Sequence, residues 1–249
     1  MDTAALANIP NLTHLTGIIT AVGGLGTASY GIVDVTKSFA GGVSNRGFGC
    51  IAKTMATLIP EKTIAAAAHA DTSEPATPPA LALSSILVTL KSNWINGMDS
   101  DSQRAIAKSL VKLRMNADLV PDLAKLTGVN PVTLASVASK IGSGAPLAKD
   151  ETDVYGRFDL VLTTLLDQAY QRADQQYRNT SKLCAVIAAV VLAAIGAWTL
   201  GQIHGFFLLD RAFWESVMLG LLATPLAPVA KDIAGAIQAG AKAAQAWGS

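Results

Sequence analysis

Three histidines, His14, His69 and His204, fall in separate segments of the 249-residue chain. No HxxxH or HExxH spacing joins any two, so a metal site would need distant segments to converge, and no metal is expected. Asp99 with Asp101 and Asp150 with Glu151 are carboxylate pairs that could share acid–base work. Each sits in a polar turn ahead of a helical pattern, where capping backbone N–H groups explains it. Gly23, Gly24 and Gly26 lack the lysine of a phosphate-binding loop and lie within a helix pattern rather than between strand and helix. GxSxG and CxxC are missing from any workable context. Cys50 and Cys184 are far apart, the second inside an apolar run, so they build neither a disulfide framework nor a zinc site. No catalytic residue, no cofactor and no enzyme activity are expected.

One stripe could do a different kind of chemistry. Thr13, Thr16, Thr20, Thr27 and Asp34 cluster within roughly 60° on a helical wheel. In a closed ring of copies these hydroxyls would line a water-filled path, with Asp34 forming an acidic, cation-favouring ring at its mouth. The competing expectation is that each threonine hydroxyl bonds the carbonyl one turn back in its own helix, and that nothing passes. Beside it Gly17, Ala21, Gly24, Ala28 and Gly31 recur at intervals of four and three, a narrow ridge of small side chains. In lipid such a ridge lets two backbones approach and gain dispersion contact. Its neighbour is either the rest of the same chain or a second copy. Ile18, Ile19, Val22, Leu25, Ile32 and Val33 complete the helix as a face for lipid.

These stripes need a membrane to matter, and the composition supplies the argument. The chain is 51% hydrophobic but only 15% charged, against about 25% charged in soluble domains; mean hydropathy is +0.38. A net charge of +1 leaves no cationic excess to displace counterions from phosphates, so nucleic acid is not an expected partner. Leu183 to Ile203 carries no charge and, at about 1.5 Å per residue, matches a hydrocarbon core of roughly 30 Å. Phe213 to Ala230 follows as a second span, with Pro225 and Pro228 predicting a bend near Thr224 or a restart at Pro228. Trp198, Phe206, Phe207, Phe213 and Trp214 gather around the hairpin turn, where aromatic rings favour headgroups. Leu12 to Val33 is the third span; in a competing reading only the hairpin crosses. The start of the sequence lacks a basic n-region, so this first segment is expected to be retained. Of 19 Lys and Arg residues, 15 lie between Arg46 and Lys182. By the positive-inside rule residues 40–182 and the C-terminus are cytoplasmic, with the N-terminus outside.

The predicted fold is all-α: an integral membrane protein of about three transmembrane helices, a helical cytoplasmic domain, and a long strut continuous with the second span. Residues 1–39 form the small-residue span. Residues 40–149 form the cytoplasmic domain, opening on a Gly-rich flexible exit at 40–49. A helix around Pro60 follows, then a Pro-rich linker at 71–80. Helices are predicted at Leu81 to Ile95, Asp101 to Met115, and as a pair within Asp118 to Ile141 broken at Gly128. That pair could be weighed as a DNA-reading helix-turn-helix, but its second helix offers only Lys140 as a cation. Residues 150–182 are an amphipathic strut whose Phe158, Val161, Leu162, Leu165, Leu166 and Ala169 repeat at three and four. That stripe must be covered by the domain's own helices or by another copy. Residues 183–230 are the hairpin and 231–249 a weakly amphipathic terminal helix.

The NRGFG exit, the GRFDLVLTTLLDQAYQRADQQYRN strut and the LLATPLAPVAKDIAGAIQ segment together resemble a family of uncharacterised bacterial inner-membrane proteins. The resemblance implies a bacterial inner-membrane address and no mechanism. The function expected from the residues is a non-enzymatic, homo-oligomeric anchor or scaffold with a soluble protein partner at the cytoplasmic domain. The alternatives are a channel lined by the threonine stripe and Asp34, and a membrane-damaging effector.

Overall fold

The computed structural model describes residues 10–36, 39, 41–60, 81–203 and 210–247, with side chains described outside 10–16, 230, 231 and 233–247. Among the described residues every regular element is a helix. In chain order these are α1 (Pro10–Val35), α2 (Ser44–Leu58), α3 (Leu83–Ile95), α4 (Ser100–Leu113), α5 (Val120–Thr127), α6 (Pro131–Ser143), α7 (Lys149–Thr199) and α8 (Arg211–Trp247). They form two compact units, residues 44–177 and residues 1–43 with 178–249. The unbroken helix α7 contributes to both.

In the unit spanning 44–177, local chemistry sets the helix limits. The Asp99 carboxylate accepts from Ser102 N–H at 2.9 Å and starts α4. Asn130 Oδ1 accepts from Val132 and Thr133 N–H at 2.9 and 3.3 Å, with Pro131 at the first helical position of α6. Gly128 ends α5 at φ 67°, a left-handed conformation that favours glycine. The core is assembled from one face of each helix: Ile51, Met55 and Leu58 of α2, Ile86 and Leu90 of α3, Val111 of α4, Leu123 of α5 and Leu134 of α6. Phe158, Leu162, Leu166, Tyr170 and Ala173 of α7 run through it. Each such large apolar side chain contributes about 1.5–3 kcal/mol on burial. Ionic contacts flank it, Lys108 and Lys112 on Asp159 and Arg104 on Asp101 and Asp167; Lys112 also lies 4.8 Å over the Tyr155 ring.

Two expectations are corrected here. Residues 44–49 are not a flexible exit: SNRGFG is the first part of α2. A Cβ on Gly47 would lie 2.6 Å from the Ala173 carbonyl oxygen and 2.8 Å from the Trp94 ring, so this glycine is a packing residue. Trp94 holds that corner with T-shaped contacts to Tyr170 and Tyr177, both at 6.4 Å. The helix expected around Pro60 instead ends at Leu58, because the residue before proline is driven out of the helical region. The 71–80 linker lies outside the described residues.

The second unit holds three helices long and apolar enough to cross a membrane: Gly17–Val35, the apolar end of α7, and Arg211–Val229. Its side-chain distribution inverts that of a water-soluble bundle. On α7, Ala185, Ala189 and Ala193 are buried, while Leu183, Ile187, Val191 and Ile195 on the opposite face are exposed. On α8, Gly220 lies against α7, where a Cβ would meet the Val190 Cα at 2.5 Å. Small residues inside and large aliphatics outside suit helices whose surroundings are hydrocarbon. Pro225 and Pro228 do not divide α8, which continues to Trp247; the expected boundary at 230/231 is therefore no element boundary. Each proline costs one backbone hydrogen bond, and packing within a span tolerates that loss.

Candidate functional site

The small-residue ridge does not meet α8. The face of α1 that does so carries Gly26, Ser29 and Val33. A Cβ on Gly26 would stand 2.4 Å from the Ala223 carbonyl oxygen and 2.6 Å from the Ala227 Cβ. Ser29 is fully buried, its hydroxyl donating to the Gly26 carbonyl at 2.7 Å. At about 100° per residue this face lies about 150° from the ridge. Gly17, Ala21, Gly24, Ala28 and Gly31 are all exposed, and a Cβ on any of the three glycines would meet nothing within 4 Å. Of the two alternatives for the ridge's neighbour, the chain's own helices do not cover it among the described residues. Val33, read as lipid-facing, is corrected: it is buried, whereas Ile18 and Ile32 are exposed.

The threonine stripe is described in part. Thr13 and Thr16 have no described side chains; Thr20, Thr27 and Asp34 are exposed. Thr27 donates its hydroxyl proton to the Gly23 carbonyl at 2.8 Å. A hydroxyl used this way keeps lone pairs for a cation but has no proton left for an anion or water.

The strut residues sit elsewhere. Phe158, Leu162, Leu166 and Ala169 are buried and Val161 and Leu165 partly so, with the domain's own α2 to α6 supplying the cover. Most of this stripe is therefore covered within the chain itself. Near the start of α7, Glu151 does more than cap. It is buried and accepts from Ser136 Oγ at 2.6 Å, Lys140 Nζ at 2.7 Å and the N–H of Ala148, the residue just before α7, at 2.7 Å. The Lys140 contact, with the Ser136 and Ala148 donors, pulls its carboxyl down to about 2. The one cation of the supposed DNA-reading helix is thus held by Glu151. Burial alone would raise Asp159, but the Lys112 and Lys108 ammonium groups outweigh it and leave its pKa lowered.

His69 and His204 lie outside the described residues, and the side chain of His14 is likewise not described. Sequence reasoning missed the Gly26–Ser29–Val33 face, because a wheel ranks faces by side-chain size and cannot choose between two that both permit close approach. No protein-family model matches the chain, and neither a curated protein nor a solved structure shows significant similarity to it.

Proposed function

We propose that this is a non-enzymatic bacterial inner-membrane protein that self-assembles through the outward ridge of α1 and anchors its helical domain for a soluble partner. The supporting observation is the opposition of two faces on one helix. The Gly26 face is consumed inside the chain, and the Gly24 face, equally suited to close approach, is left open. A ridge of small residues exposed to hydrocarbon gives up the packing contact that helix association in lipid depends on, and a second α1 restores it. Charge distribution sets the orientation of the reading: residues 40–182 inside, the N-terminus outside.

Cysteine crosslinking tests the reading in a Cys50→Ser, Cys184→Ser background. Oxidation in native membranes should link Gly24→Cys copies efficiently and Ile18→Cys copies poorly, since Ile18 is exposed on a different face. Equal linking at both sites, or purely monomeric sedimentation of the extracted protein, would overturn it.

A further inference from the structure

The unit spanning 44–177 holds a cavity of about 470 Å³ between α2 and α7 that none of the foregoing uses. Cys50, Lys53, Thr54 and Thr57 reach it from one face of α2, and Ala169, Arg172 and Gln176 from one face of α7. Among the described residues, none that lines it is acidic. Four cations of this unit, Arg104, Lys108, Lys112 and Lys140, each hold a carboxylate. Lys53 and Arg172 hold none among the described residues; both are exposed and both line the cavity.

We propose that this cavity binds a phosphate-bearing anion. A guanidinium offers a two-pronged donor fork and an ammonium a compact charge, together balancing a phosphomonoester dianion. The Thr54 hydroxyl and Gln176 amide add neutral donors for a third oxygen, whereas Thr57 already donates to the Lys53 carbonyl at 3.0 Å. A simple carboxylate has two oxygens and one charge and leaves one cation unmatched. The volume falls in the range of small-molecule sites, about 300–1,000 Å³, and leaves room for an organic group attached to the phosphate. Gly49 at the rim has nothing within 4 Å of its Cβ position, so a ligand meets no side chain there. The ligand is a soluble phosphomonoester or a phospholipid headgroup of the same chemistry, and the proposal is independent of self-assembly.

Cys50, half-buried in the lining, is the reporter. The full-length protein is alkylated with N-ethylmaleimide, and modification of Cys50 is followed by peptide mass spectrometry with Cys184 as internal reference. Glycerol phosphate is titrated in detergent, and nanodiscs of phosphatidic acid are compared with nanodiscs of phosphatidylcholine. Bound at ten times its dissociation constant, a ligand should slow Cys50 alkylation about tenfold and leave Cys184 unchanged. Protection by glycerol phosphate identifies a soluble ligand; protection in phosphatidic acid discs alone identifies a headgroup. Arg172→Gln and Lys53→Gln should each abolish it while circular dichroism stays native. The proposal fails if neither probe protects the folded protein, or if sodium chloride of equal ionic strength protects as well, since that is screening and not binding.

Discussion

Gly26 and Ala223 meet backbone to backbone, with room for no Cβ between them. The same helix presents Gly24 to open space. Two glycines two positions apart therefore carry opposite burdens, and substitution separates them. Gly26→Val should destabilise the three-helix unit by about 1–3 kcal/mol or more through overpacking, seen as a lower melting temperature in detergent. Gly24→Leu should leave that temperature unchanged and reduce the assembled fraction on sedimentation. Loss of folding in Gly24→Leu would mean that the ridge serves the chain's own packing.

Helix α2 offers a second contrast. Gly47→Ala drives a methyl group toward the Ala173 carbonyl and the Trp94 ring, a cost of about 1–3 kcal/mol. Gly49→Ala, half a turn on, meets open space and should stabilise the helix by about 0.5–1 kcal/mol. Hydrogen exchange of α2 amides in the full chain should show faster opening for the first and slower opening for the second.

How much of this was legible beforehand follows from which signals are local. Caps and breaks at Asp99, Gly128 and Asn130 were readable because each acts on backbone groups within three residues. The apolar period from Phe158 to Ala169 marked a buried stripe but not its cover, since that depends on where α2 to α6 pack. Gly47 misled for the opposite reason. Glycine in isolation weakens a helix, and only the nearness of Ala173 and Trp94 turns that weakness into a requirement. Lys53 and Arg172 lie 119 residues apart in sequence, so no spacing rule could unite them.

Glu151 makes the stability of the 44–177 unit depend on acid. Its ordinary carboxyl value of 4.5 is lowered to about 2 by Lys140, Ser136 and the Ala148 N–H. A depressed folded-state value means that the contribution is full above 4.5 and is lost as pH falls from there toward 2. Glu151→Gln should melt earlier than the parent at neutral pH, and the gap should close progressively across that window. A gap that stayed constant down to the lowest pH would assign the effect to shape rather than charge.

Tyr170 makes the corresponding prediction at the alkaline end. Burial pushes its phenol up to about 12, Arg104 opposing only weakly, because a phenolate in the core is poorly solvated. A raised value means that the stabilisation is complete below 10 and disappears as pH climbs from 10 to 12. The hydroxyl donates to the Gln103 carbonyl across a long 3.4 Å, so Tyr170→Phe should cost no more than about 1 kcal/mol at neutral pH. The phenylalanine chain cannot ionise at this position and should lose less stability than the parent between pH 10 and 12. Denaturant melts across that range check the difference; parallel loss in both proteins would show that another group sets the alkaline limit.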